Sequence, residues 1–158
     1  MTNLEGQQAP QFTLRNEKGD PVSLADFAGE KYVILYFYPK DATPGCTTQA
    51  CDFRDSYEDF SKLNAVILGV SPDDEASHTK FIENKGLPFS LLVDDNHEVA
   101  EMYDVWKLKK MFGKEYMGIE RSTFLISPSG KIVKEWRKVK VKGHIDEALS
   151  TLSEIVNA

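Results

Sequence analysis

The residues of this chain best suited to covalent chemistry are its two cysteines, which stand five positions apart as Cys46 and Cys51. An apolar run ends shortly before them, and a segment with helical spacing begins at Pro44, so Cys46 falls in the first turn of a predicted helix. Unpaired backbone N–H groups and the positive end of the helix dipole stabilise an anion there, and the thiolate is the nucleophilic form of cysteine. The position suits a reactive thiolate, although a cysteine there can also serve only as buried packing.

The spacing of the two cysteines predicts how they interact. Five residues advance about 7.5 Å along a helix and rotate about 140°, which separates the two Cα atoms by roughly 8 to 9 Å. A disulfide needs less than about 7 Å, so a Cys46–Cys51 bond requires the first helical turns to unwind. The rotation also argues against both cysteines packing on one core face.

A metal site is not expected. The cysteine spacing is not Cys-x-x-Cys, and the three histidines, His78, His97 and His144, lack ligand-like spacing.

Two residues beside Cys46 allow both a structural and a chemical role. Thr43 can cap the helix through its hydroxyl, or direct that hydroxyl toward a substrate oxygen next to Cys46. Pro39 can simply end the preceding strand, or its ring can shield a thiolate from water. The local sequence does not separate these roles.

The elements that position the cysteines form a βαβ unit. Residues 31–38 and 65–71 are continuous apolar runs, typical of strands covered on both faces, and residues 43–63 between them have helical spacing. This order predicts a parallel strand pair with the cysteines at the strand-to-helix turn.

Further elements predict a mixed α/β sheet with helices on both faces. We expect helices over about 74–84, 97–103 and 144–156, a strand over 89–93, a hairpin over 122–136 and a small N-terminal β-hairpin over 12–24. Residues 105–118 lack a clean period, and we expect them to be a mobile loop over the site. No linker or repeat interrupts the chain, so residues 1–158 are predicted to be a single domain.

Composition excludes several function classes. Hydrophobic residues make up 41% and charged residues 28% of the chain, ordinary values for a globular protein. The net charge of −6 disfavours binding to nucleic acid or an anionic membrane. No signal peptide or spanning run is apparent, which indicates the cytoplasm, where a stable structural disulfide is not expected.

The pattern Pro39-x-x-x-Thr43-x-x-Cys46 resembles the active-site signature of peroxiredoxins, thiol peroxidases with a thioredoxin-like fold. Other segments resemble the same family, and together they extend over nearly the whole chain: Gly6-x-x-Ala9-Pro10-x-Phe12-x-Leu14, residues 36–39, Gly69-Val70-Ser71 and residues 121–126. The second cysteine five residues after the first is similar to the bacterioferritin-comigratory or peroxiredoxin Q branch in its atypical two-cysteine form.

The resemblance implies a role for each candidate residue. Cys46 would be the peroxidatic cysteine that attacks the peroxide, and Cys51 would resolve its sulfenic acid as an intramolecular disulfide. Arg121 and Thr43 would supply hydrogen bonds to the thiolate and the peroxide. A thioredoxin-type thiol reductant would recycle the enzyme, which we expect to be a monomer without a cofactor.

Two other functions stay open at this point. A thioredoxin-like disulfide oxidoreductase has the same fold, although it normally needs Cys-x-x-Cys. A non-catalytic redox sensor would use a Cys46–Cys51 switch to expose a binding surface.

Overall fold

A computed structural model describes residues 3–158; Met1 and Thr2, which the predicted domain also includes, lie outside the described residues. The strands are β1 (Thr13–Arg15), β2 (Pro21–Ser23), β3 (Tyr32–Phe37), β4 (Ala65–Ser71), β5 (Ser90–Val93), β6 (Trp106–Met111), β7 (Lys114–Ile119), β8 (Ser122–Ile126) and β9 (Ile132–Trp136). The α-helices are α1 (Pro44–Asp55), α2 (Tyr57–Lys62), α3 (Glu75–Lys85), α4 (Glu98–Met102) and α5 (His144–Val156). A short 3₁₀ helix spans Leu24–Phe27.

The main sheet is mixed, as the order of elements predicts. Its strand order is β2-β1-β5-β4-β3-β8-β9. Strands β3, β4 and β5 are parallel, while β8 runs antiparallel to β3, and β1 pairs antiparallel with both β2 and β5. The predicted N-terminal hairpin is therefore confirmed as β1 and β2.

Burial on both faces of the sheet explains why β3 has an apolar sequence. Alternate side chains point to opposite faces of a strand. Val33 and Leu35 lie in the hydrophobic cluster on one face of the sheet, whereas Ile34 and Tyr36 lie in the cluster on the other. Residues of α1, α2, α3 and α5 cover the second face, and residues of α4 cover the first. Cys46 belongs to the cluster on the second face.

Local signals place the helix ends. Asp74 caps α3 by accepting a hydrogen bond of 2.9 Å from the backbone N–H of Ser77, and Gly86 ends it in the left-handed conformation with φ of 60°. The helix predicted over residues 43–63 is two helices, because the chain leaves helical geometry at Ser56.

The prediction of an irregular loop over residues 105–118 is wrong. This segment is a two-stranded antiparallel hairpin of β6 and β7, in which Leu108 pairs with Met117. Phe112 and Gly113 form its turn with φ of 52° and 76°. Two-residue hairpin turns usually contain Asn-Gly or Asp-Gly, and phenylalanine rarely adopts a positive φ. The sequence Phe-Gly therefore gave no signal for a hairpin turn here.

Within residues 3–158, no helix combines the length and the apolar character needed to cross a membrane.

Candidate active site

The first turn of α1 forms directly after the loop that follows β3. Thr43 is the N-cap residue with extended backbone angles, and its carbonyl accepts a hydrogen bond of 2.8 Å from the N–H of Thr47. Pro44 occupies the first helical position, where a missing N–H is tolerated. Cys46 therefore lies in the first turn of α1, as predicted.

Arg121 contacts Cys46 directly. Its Nη2 lies 3.3 Å from the Sγ atom of Cys46. The sheet explains this contact across 75 residues: β8 is antiparallel to β3 with Ser122 opposite Phe37, so Arg121 lies beside the point where the loop leaves β3. A cationic guanidinium at this distance can donate a hydrogen bond to the sulfur. Only 2% of the Cys46 surface is exposed, so the guanidinium contact distinguishes it from an inert buried cysteine.

Gly45 allows this close approach. A Cβ atom at Gly45 would lie 3.2 Å from Nη2 of Arg121, closer than nearly all real Cβ contacts. The absence of a side chain at Gly45 therefore lets the guanidinium approach the helix backbone without being displaced.

Gln49 orients Arg121 from the next turn of α1. Nη1 of Arg121 donates a hydrogen bond to Oε1 of Gln49, whose side chain is fully buried. The Nε2 atom of Gln49 has no hydrogen-bond partner among the described residues. Arg121 therefore contacts Cys46 and Gln49 through separate nitrogen atoms of one planar group, which fixes its orientation.

Thr43 and Pro39, two further predicted site residues, lie in the loop between β3 and α1, with Thr43 at its end. The hydroxyl of Thr43 donates a hydrogen bond of 2.8 Å to the carbonyl of Lys40, and within the described chain it makes no side-chain cap of α1. Capping of α1 through this hydroxyl, one of the two roles that the sequence left open for Thr43, is therefore not observed among the described residues. Pro39 is partly buried and begins the loop two residues after β3 ends.

Cys51 lies on the same helix as Cys46 but is partly exposed. Both thiols are free, and α1 continues without a break from Pro44 to Asp55. Helix geometry then separates their Cα atoms by about 8.7 Å, beyond the range of a disulfide. The structure thus corresponds to a reduced state in which the two sulfurs are held apart.

Asp41 is a hydrogen-bonding centre in the loop before α1. Its Oδ1 accepts a hydrogen bond from the hydroxyl of Tyr38 at 2.5 Å, and its Oδ2 lies 2.8 Å from the hydroxyl of Ser77 and 2.6 Å from Nδ1 of His78. Nε2 of His78 lies 2.8 Å from the carbonyl of Leu92 in β5. This network attaches the loop between β3 and α1 to α3 and β5.

The His78 side chain sits in a strongly anionic environment. Burial opposes its charged form, but the hydrogen bond and negative charge of Asp41, the carbonyl of Leu92 and the charge of Asp73 outweigh burial and raise the pKa of His78. Ligand atoms of Asp41, Asp73 and His78 lie within 4.8 Å of one another. Hydrogen bonds among these groups and their neighbours account for that clustering.

Comparison with known proteins agrees with this geometry. The sequence profile of the AhpC/TSA family matches residues 5–135. Peroxiredoxin Bcp of Bacillus subtilis (strain 168) is 63% identical over 155 residues, which cover 98% of this chain and 98% of that protein. This chain belongs to the AhpC/TSA family.

Similar solved structures identify the branch of peroxiredoxins to which the chain belongs. Peroxiredoxin Q of Xanthomonas campestris (structure F4) has 45% sequence identity and a TM-score of 0.87, covering 92% of this chain and 91% of that one. A structure concerned with alkyl peroxide reduction by the Xanthomonas campestris bacterioferritin comigratory protein has 44% identity and a TM-score of 0.87, covering 92% of each chain. The chain is thus a thioredoxin-fold peroxiredoxin of the bacterioferritin comigratory protein or peroxiredoxin Q branch.

Membership of this branch gives the activity in outline. The protein is a thiol-dependent peroxidase, an oxidoreductase whose substrate is a peroxide and whose reductant is a thiol.

Sequence reasoning missed two parts of this peroxiredoxin site. Gln49 stands three residues after Cys46, a spacing that places both on one face of α1, and this signal was available. The pairing of Asp41 with His78 joins residues 37 positions apart and had no local signal.

Proposed function

We propose that Cys46 is the peroxidatic cysteine and Cys51 the resolving cysteine of a peroxidase that reduces hydrogen peroxide and organic hydroperoxides. The observation that carries this proposal is the distance of 3.3 Å between Sγ of Cys46 and Nη2 of Arg121. The same guanidinium has further N–H groups that can donate to a peroxide oxygen as negative charge develops on it. The proline and threonine expected beside the nucleophile, Pro39 and Thr43, lie in the loop that precedes its helix.

In the first step the Cys46 thiolate attacks one peroxide oxygen. An S–O bond forms as the O–O bond breaks, and the departing oxygen takes up a proton to leave as water or an alcohol. Sulfur is oxidised by two electrons to sulfenic acid, and the peroxide is reduced by the same two electrons.

In the second step the thiolate of Cys51 attacks the sulfenic sulfur of Cys46. The S–S bond forms, and the hydroxyl group leaves with a proton as water. Because an intact α1 separates the two cysteines, this step follows the unwinding of the first helical turns. A dithiol protein of the thioredoxin type then reduces the disulfide, becoming a disulfide itself.

The remaining features of the proposal rest on the same residues. Arg121 reaches Cys46 and Cys51 lies on the same helix, so the proposed cycle needs no residue of a second subunit. A monomer and a single domain over residues 1–158 complete the proposal. Two thiols that must be reduced after each turnover suit the cytoplasm. The net charge of −6 argues against nucleic acid and anionic membranes as partners.

Three proteins test the proposal: the unchanged chain, Cys46→Ser and Cys51→Ser. Peroxide consumption with a thioredoxin system should disappear in Cys46→Ser. Mass spectrometry after one equivalent of peroxide should find the loss of two hydrogens in the unchanged chain and one added oxygen on Cys46 in Cys51→Ser. Normal turnover by Cys46→Ser would refute the assignment, and insulin reduction without peroxide would favour a disulfide oxidoreductase instead.

A further inference from the structure

The loop between β3 and α1 contains a residue in an unfavourable conformation. Ala42 has a φ of 63°, in the left-handed region that a residue with a Cβ atom seldom adopts. It stands directly before Thr43, the N-cap residue of α1. Contacts elsewhere must therefore hold this loop in place.

Asp41 supplies those contacts from the position before Ala42. Its backbone N–H donates a hydrogen bond of 2.8 Å to Oδ2 of Asp73, while its carboxylate faces three donors, on Tyr38, Ser77 and His78. Hydrogen bonds therefore hold both the main chain and the side chain of Asp41, and they can stabilise the unfavourable conformation of Ala42 beside it.

His78 connects Asp41 to strand β5 of the main sheet. The side chains of His78 and Asp41 are 0% and 3% exposed. A carbonyl oxygen only accepts, so Nε2 must be the donor to Leu92, and Nδ1 faces a carboxylate oxygen at 2.6 Å. Both ring nitrogens donate in the imidazolium form, which makes this a buried ion pair with hydrogen bonds at each end.

We propose that Asp41 and His78 are positioning residues that hold the active-site loop and the start of α1 in the closed conformation, against the open conformation in which Cys46 reaches Cys51. This inference rests on the proposed function of the two cysteines. Opening of α1 begins at the end attached to this loop, so the ion pair sets how readily the helix start is released. Removing it shifts the population toward the open conformation.

The consequence is a change in one step of the cycle. Weakening the anchor should accelerate disulfide formation from the Cys46 sulfenic acid, because that step needs the open conformation. It should not accelerate the reaction with peroxide, which needs the closed conformation and the Arg121 contact. Loss of one hydrogen bond to a buried charged group changes such an equilibrium by about tenfold or more.

The experiment compares Asp41→Asn with Asp94→Asn. Asp94 is a matched control, because its carboxylate is also buried but accepts the N–H groups of Val99 and Ala100 in α4 and none from the loop between β3 and α1. Ser77→Ala is a milder variant that removes one donor to Asp41, in case Asp41→Asn does not fold. Each protein is mixed with one equivalent of hydrogen peroxide and quenched at intervals, and mass spectrometry measures sulfenic acid and disulfide separately.

The expected result is disulfide formation about tenfold or more faster in Asp41→Asn and also faster in Ser77→Ala, with Asp94→Asn at the rate of the unchanged chain. Unaltered or slower disulfide formation in the loop variants would overturn the inference while leaving the proposed function intact. Equal acceleration in Asp94→Asn would also overturn it, because the effect would then be general destabilisation. Absence of any disulfide in the unchanged chain would overturn both.

Discussion

Thr48 offers a direct test of whether α1 must unwind before the two cysteines bond. It lies on α1 between Cys46 and Cys51 and is exposed, and its hydroxyl donates a hydrogen bond of 3.1 Å to the carbonyl of Pro44 one turn earlier. Replacing it by alanine or glycine changes the stability of this helical turn and leaves the contact between Arg121 and Cys46 in place.

The magnitude follows from helix propensity. Glycine in a helix interior is about 1 kcal/mol less favourable than alanine, and threonine falls between them. If disulfide formation passes through an unwound turn, this difference appears in its rate. At an RT of about 0.59 kcal/mol, Thr48→Gly should form the disulfide about fivefold faster than Thr48→Ala, with the unchanged chain between them.

The assay is a single turnover with one equivalent of hydrogen peroxide, in which the rate of disulfide formation is followed after the sulfenic acid has formed. Ser150→Ala and Ser150→Gly are the matched control pair, because Ser150 is an exposed position of α5 with no part in the site. That pair should differ in global stability and agree in disulfide rate. Equal rates in the two Thr48 variants, or the same ratio in the Ser150 pair, would refute the requirement for unwinding.

Three other predictions concern the surroundings of the site. Burial lowers the pKa of His144 to about 4, so as pH falls the imidazole is protonated in the unfolded state before it is protonated in the folded state. The free energy of unfolding should therefore decrease between about pH 6.5 and pH 4, by roughly 2.5 kcal/mol at about pH 4.5. Chemical denaturation of His144→Gln should not show that decrease. Gly69→Ala should reduce the free energy of unfolding by about 1–3 kcal/mol, because the new Cβ would lie 2.7 Å from Cδ2 of Leu91; unchanged stability would contradict this. Gln49→Leu should slow the reaction with peroxide by about tenfold in stopped-flow measurements, since Arg121 loses the acceptor that orients it, and an unaltered rate would remove Gln49 from the site.

Elements with strong local signals were predictable from the sequence. The apolar run of β3 is buried on both faces, and Pro44 marks the start of α1 because its ring fits only the first helical positions. The amphipathic pattern of α5 gives its bounds, His144–Val156, as predicted. In each case the signal and the element share the same short stretch of chain.

Features that depend on distant residues were not predictable in this way. The contact between Arg121 and Gln49 spans 72 residues and needs the register of β8 on β3, which local patterns do not set. The oxygen of the Thr43 hydroxyl could have accepted from an N–H group of α1, but in the structure the hydroxyl donates to the carbonyl of Lys40, which the local sequence does not indicate. The turn at Phe112 was hidden because a bulky residue there contradicts the usual composition of hairpin turns.

The start of α1 meets two opposing demands, and its composition suits both. In the proposed cycle, a formed first turn offers Cys46 its backbone N–H groups and its contact with Arg121, whereas the disulfide needs that turn open. The sequence there is Pro-Gly-Cys-Thr-Thr, which is roughly 2–3 kcal/mol less favourable as helix than alanines of the same length. The first turn also has no acidic residue, which would stabilise the helix but repel a thiolate. We therefore propose that tertiary contacts through Arg121 and Asp41 keep closed a turn that its own residues stabilise only weakly, so that oxidation of Cys46 can be followed by opening of the turn and capture by Cys51.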